Sequence, residues 1–174
     1  NAPDASILPP HVPSRIAFDA LLARFPEGEL TPLVLAVTTH GPVTDRENVG
    51  RLYDWSRRLA ADPRVRRVEG IVDIDPRLDR AQYQLLLGNP AGPGDRFVAQ
   101  TLAATTDDDL TVFTVITAHA SNDAEARDLV HDLRDPSSAL APPAGVQVLV
   151  GGGAAEVVDV VERVAQDAPR TVLF

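Results

Sequence analysis

Two histidines, several aspartates and one run of glycines are the residues of this 174-residue chain whose types and spacing could do chemistry. His40 and His119 follow apolar runs at matching places, and as a pair they could bind a metal or exchange a proton. No cluster of further ligand types surrounds either, so each reads more simply as a polar residue closing a strand. Asp107, Asp108 and Asp109 carry enough charge for a hard cation. Strand-like residues follow them at once, without calcium-loop spacing, and a solvated turn accounts for them. Asp73 and Asp75, in Val-Asp-Ile-Asp-Pro, could be paired carboxylates for acid–base work, which makes a hydrolase one functional reading; turn residues ahead of Pro76 are the simpler one. Gly151, Gly152 and Gly153 stand between an apolar run and an amphipathic segment, where backbone amides can cradle an anion. Glu156 would repel an anion and no Lys follows, so these glycines read as a corner or hinge. Ser14, Ser137 and Ser138 lack a nucleophile-elbow context, and no triad assembles.

Composition narrows the field further. Cys is absent, which removes disulfides, thiolate metal sites and Cys nucleophiles together. All 16 basic residues are Arg, so Schiff-base chemistry and a Walker-type phosphate loop are excluded. A net charge of −9 argues against nucleic acid and against docking on anionic lipid through a polybasic face. Hydrophobic residues make up 44% of the chain, too many for disorder. The longest apolar runs are strand-sized, far short of the roughly 20 residues of a membrane span. The start Asn1-Ala2-Pro3 is expected to be that of a processed or excised product. No cofactor, metal site or catalytic residue is expected, and the chain reads as a non-enzyme.

The elements that would position these residues follow from periodicity. Residues 1–13 hold four prolines and read as an extended lead-in. Ser14 is expected to cap a helix over 14–25, with Phe18, Leu21, Leu22 and Phe25 on one face. Residues 33–39 form a continuous apolar strand, which suggests that both its faces are covered. Thr44 and Glu47 fit a capping box for a helix whose face carries Val49, Leu52, Ser56, Leu59 and Ala60, with Trp55 beside it. Asp-Pro at 62–63 stops it, and 65–72 is a second strand. Within the insert 73–109, Asp79 is placed to cap a short helix with Tyr83, Leu86 and Leu87. A glycine–proline break follows, then a short helix with Phe97, Val98, Leu102 and Ala103. Residues 110–118 form a strand, a helix with Ala126, Leu129, Val130 and Leu133 follows, and 146–150 is the last strand. A final helix over 155–168 carries Val157, Val160, Val161 and Val164.

One pattern occurs twice. Residues 33–72 and 110–150 each read strand, helix, Asp-Pro, strand, with Asp45-x-Glu47 answered by Asp123-x-Glu125. Two interlocked βαβ units give a ferredoxin-like α+β fold, with a four-stranded, mainly antiparallel sheet in which strands 33–39 and 110–118 are central neighbours. Residues 14–174 would form one domain, with a helix added at each end. The two terminal helices, each with one apolar stripe, are expected to pack on one another through Leu22 and Val161.

Several segments, taken in order, resemble the MmpL-type transporters of the RND superfamily. Ala-Leu-Leu-Ala-Arg-Phe-Pro-x-Gly-Glu-Leu-x-Pro at 20–32 is similar to the stretch after that family's first membrane helix. Arg-Leu-Ala-Ala-Asp-Pro-x-Val-x-x-Val-Glu at 58–69, Ala-Gln-Tyr-Gln-Leu-Leu-Leu-Gly-Asn-Pro at 81–90 and Val-Leu-Val-Gly-Gly at 148–152 also resemble the family, the third Gly153 being a departure. The resemblance implies an extracytoplasmic, porter-type domain of a proton-driven exporter of lipids or other hydrophobic molecules. It implies a cell-membrane parent whose proton relay lies in membrane helices outside this chain. The partners would be the other domains and membrane helices of that transporter, with hydrophobic or lipid substrate, and the parent could be an oligomer. It places the terminal helices on the paths from and to the first two spans, with Val172-Leu173-Phe174 opening the second. A stand-alone ferredoxin-like sensor or small-molecule-binding module is the alternative.

Overall fold

The computed structural model describes residues 7–89 and 94–171. The start of the lead-in, part of the glycine–proline break and the apolar tail at 172–174 lie outside the described residues. Alternating and β-branched runs form β1 (Leu33–Thr39), β2 (Val65–Glu69), β3 (Thr106–Asp107), β4 (Leu110–Thr117) and β5 (Val146–Gly151). The helices are α1 (Pro13–Leu22), α2 (Glu27–Leu30), α3 (Arg46–Ala60), α4 (Arg80–Leu87), α5 (Arg96–Thr105), α6 (Ala124–Arg134) and α7 (Gly153–Thr171). The sheet runs β2–β4–β1–β5, with every pairing antiparallel and β3 added as a short hairpin arm on β4. β4 is thus slotted between the two strands of the β1–α3–β2 unit, and β1 between those of β4–α6–β5. This is the ferredoxin-like split βαβ arrangement that the repeat predicts.

α3 and α6 cover one face of the sheet because each carries an apolar stripe at helical spacing. Val49, Leu52, Trp55 and Leu59 from α3 join Ala126, Leu129, Val130 and Leu133 from α6 against Leu33, Leu35, Val37, Phe113, Val115 and Val150. Trp55 is not beside this stripe but at its centre, fully buried. Its ring meets Phe113 edge-on at 5.8 Å, and its indole Nε1–H donates to the Leu140 carbonyl at 2.9 Å. The proline-rich loop after α6 supplies that acceptor, so the one polar atom of the ring is satisfied in the core.

Several local expectations are corrected. β1 has one covered face, not two: Leu33, Leu35 and Val37 are buried while Val34 is exposed. The second strand ends at Glu69, because Gly70 turns the chain away with Phe113 packed against it. Pro13 opens α1 and Val12 precedes it as N-cap, so Ser14 lies inside the helix, where Pro at the first position is well tolerated. α1 ends at Leu22, short of the expected residue 25, and the single turn of α2 follows; Gly28 of α2 lies so close to the Thr117 carbonyl that a Cβ would stand 2.1 Å from it. The capping box at Thr44 and Glu47 does not form. Asp45 is the N-cap, and Glu47 instead pairs with Arg51 one turn along α3. A capping box does form at α4, with Asp79 and Gln82.

The seam between the terminal helices is absent as well. α1 buries none of its residues, and Val160, Val161 and Val164 of α7 are exposed. α7 spends its packing in its first turns, where Ala154, Ala155, Val157 and Val158 are buried, and its neighbours are α6, β1 and β5. No helix among the described residues is long and apolar enough to cross a membrane.

Candidate functional site

The side of the sheet away from α3 and α6 is where apolar side chains meet solvent. Register places Val112, Ala36 and Leu149 in one row across β4, β1 and β5, with Val34 and Thr114 in another. Leu149 is 77% exposed, and Val34 and Val112 are also exposed. Charge is scarce here, because the outward positions of β1, β4 and β5 are Val, Ala, Thr, Leu, Ile and Gln.

A cleft of about 400 Å³ opens at one edge of this surface. Topology explains it. β2 pairs with β4 from Glu69 opposite Thr114 to Val65 opposite Thr117, whereas β3 pairs only with Leu110 and Thr111. Between them, Val112 and Phe113 have no strand on that edge. The insert leaves the sheet after Glu69 and returns through α5, so the gap is walled by Gly70, Asp73 and Ile74 on one side and Phe97, Thr101 and Thr105 on the other. Phe97, expected on the packing face of its helix, is 65% exposed at this wall, and Val98 is the residue buried.

Asp73 belongs to the cleft and to the core at once. Its side chain is only 7% exposed. Ser56 Oγ donates to Asp73 Oδ1 at 2.8 Å, and the Arg57 guanidinium pairs with the same oxygen. Asp73 Oδ2 is buried without a hydrogen-bond partner among the described residues. Arg57 also lies over the Tyr53 ring, 5.1 Å from its centroid. Asp75 behaves differently. Arg77 donates to its carboxylate through side chain and backbone and holds its pKa down at about 2. Its backbone is clasped by Tyr83, whose hydroxyl accepts from Asp75 N–H at 2.7 Å and donates to Asp75 C=O at 2.8 Å. Burial pushes the Tyr83 phenol up. The two aspartates therefore serve separate networks rather than one acid–base pair.

The other sequence-level candidates are kept apart by the fold. β1 and β4 are antiparallel, so His40, after Thr39, and His119, after Thr117, lie at opposite ends of the sheet. At about 3.3 Å per residue the ends are on the order of 20 Å apart. Their backbones do matching work instead. Thr39 Oγ1 donates to the Gly41 carbonyl, and Thr117 Oγ1 to the His119 carbonyl, each closing the turn after its strand. Asp108 and Asp109 make the β3–β4 turn, Asp108 with φ of 45°, and their carbonyls accept from Val43 and Thr39 amides. Among the described residues no three His, Asp or Glu side chains are placed to hold a metal ion. At the glycine corner, Gly152 has φ of 72°, and a Cβ there would stand 2.7 Å from the Pro32 carbonyl.

The cleft itself escapes a reading by periodicity, because a gap in strand pairing leaves no mark on hydrophobic spacing. One signal was present: Ser56 interrupts the apolar stripe of α3, and a polar residue at a core position calls for a buried partner. The family model described as the MMPL family matches residues 6–173. No curated protein matches the chain.

Proposed function

Because this chain belongs to the MMPL family, a family of transporters, we propose that it is the extracytoplasmic, porter-type domain of a proton-driven exporter of lipids or other hydrophobic molecules. The family match over nearly the whole chain carries this reading. The apolar sheet surface around Leu149 and Val34, with the cleft at its edge, supports it, since hydrophobic cargo needs a wall that does not hold it by charge. In this role residues 14–174 act as one non-catalytic, cofactor-free unit at the cell membrane. Its partners are the other domains and membrane helices of the transporter, toward which the exposed faces of α1 and α7 are turned. Gly151, Gly152 and Gly153 are the joint at which the sheet hands over to α7, with glycine demanded by the positive φ values of 72° and 35° at Gly152 and Gly153.

The absence of native Cys in this chain makes the placement testable. In the full transporter with any other cysteines removed, Asp108→Cys at the exposed hairpin is expected to react with a membrane-impermeant maleimide in intact cells. Labelling only after permeabilisation would place the domain on the other side. In proteoliposomes, Leu149→Glu is expected to abolish gradient-driven efflux of a fluorescent lipid at unchanged protein yield, and unaltered efflux would refute the cargo-wall role.

A further inference from the structure

We propose that the cleft at the interrupted edge of β4 is a binding site for an apolar molecule bearing a non-anionic, hydrogen-bond-donating head, and that Asp73 Oδ2 accepts from that head. The inference rests on the transport reading for its physiological meaning, but the site is argued from its own geometry. Asp73 lines the cleft with a side chain 7% exposed and one carboxylate oxygen unpartnered among the described residues. Buried acceptors are rarely left so, and each one that is calls for a donor. The core has already committed the other oxygen to Ser56 and Arg57. The proposal gives Oδ2 its donor from a molecule in the cleft that Asp73 lines.

The walls say what else that molecule carries. Ile74, Phe97 and Val112 offer apolar surface, and the Phe97 ring is left 65% exposed among the described residues. Thr101 and Thr105 also line the cleft, and both hydroxyl protons are already donated, to the carbonyls of Phe97 and Thr101 at 3.0 and 2.8 Å. Toward a ligand these hydroxyls can only accept. The charged lining residues are Glu69 and Asp73, each already paired with an arginine at its back, Arg67 and Arg57. Asp73 Oδ2, a carboxylate oxygen, can only accept, while the Thr114 hydroxyl is left to donate or accept. An ammonium or hydroxyl head on a hydrocarbon body fits, and a carboxylate or phosphate head does not.

The test is calorimetric titration of the full 174-residue chain with three probes of equal chain length below their aggregation concentrations: decylammonium, decyltrimethylammonium and decanoate. Decylammonium is expected to bind about tenfold or more tightly than decyltrimethylammonium, which has the charge without the donor, and decanoate to show no saturable binding. Amide shifts in NMR are expected at Gly70, Thr101, Thr105 and Val112. Asp73→Asn keeps an oxygen for Ser56 and should bring the two cationic probes within about twofold of each other. Val112→Trp, which fills the cleft from the sheet without touching the hydrogen bonds of Asp73, should remove binding at an unchanged melting temperature. Equal affinity for the two cationic probes, shifts confined to α1 and α7, or a preference that survives Val112→Trp would overturn the proposal, even if Asp73→Asn does not fold. Binding is measured without transport, so a failure here leaves the labelling and efflux outcomes to decide the transport reading separately.

Discussion

Gly70→Ala is expected to be among the most costly single-atom-scale changes in this protein. A Cβ at position 70 would stand 2.0 Å from Phe113 Cε1 and 2.2 Å from its Cδ1. Carbon atoms in good contact lie about 3.5–4.0 Å apart, so the ring would have to retreat by roughly 1.5 Å. It has nowhere to go, being fully buried and packed at 75° against the Trp55 ring, 5.8 Å between centroids. Overpacking of this kind costs about 1–3 kcal/mol, and a rigid ring against a second rigid ring puts this case at about 3 kcal/mol. Against a typical total of about 5–15 kcal/mol that is a large loss. The cause is separable from any backbone effect by a double-mutant cycle measured by urea unfolding. Phe113→Leu alone should cost about 1–2 kcal/mol through the lost ring contacts. Combined with Gly70→Ala it should cost less than the sum by about 1–2 kcal/mol, because the methyl then occupies space the ring has left. A Gly70→Ala variant within about 0.5 kcal/mol of the parent, or strict additivity in the cycle, would refute the steric reasoning. The outcome bears on the cleft too, since Gly70 both ends β2 and lines the gap beside Asp73.

Three further outcomes are expected. Asp79→Ala should destabilise by about 1 kcal/mol through loss of the α4 capping box, whereas Thr44→Ala should stay within about 0.5 kcal/mol, as measured by urea midpoints. Arg64 donates to both Asp62 and Asp132 and holds the Asp62 carboxyl below its ordinary 3.8. That stabilisation is complete above pH 3.8 and lost as pH falls through the lower folded pKa, so stability should drop below pH 3.8, and Arg64→Ala should cost about 1 kcal/mol at pH 7 and flatten the acid limb. Val161→Ser on the exposed face of α7 should change the melting temperature little, while Leu133→Ala in α6 should cost about 2–5 kcal/mol; a comparable loss at Val161 would restore the packed terminal seam.

What the chain by itself determined is its repeat and its core. Hydrophobic spacing alone placed Leu52, Leu59, Leu129 and Leu133 on packing faces, and the doubled strand–helix–strand pattern allows few arrangements other than β4 slotted beside β1. Such features are local or periodic, so sequence carries them. Tertiary structure decided the rest. Whether β1 is covered on one side or both depends on what crosses it, and no property of residues 33–39 records that. Glu47 met two partners of similar worth, the N-cap amide and Arg51, and side-chain reach in the folded helix chose the ion pair. The apolar stripe of α7 looked like a seam, yet it is buried only in the first turns, at Ala154, Ala155, Val157 and Val158, and beyond them α7 meets α6 through polar pairs at Asp159 and Glu162. The cleft is the clearest case. It exists because two short strands, one entering the insert and one leaving it, share an edge of β4 without meeting, and that juxtaposition brings Asp73 and Phe97 together across 23 residues of intervening chain that periodicity treats as unrelated.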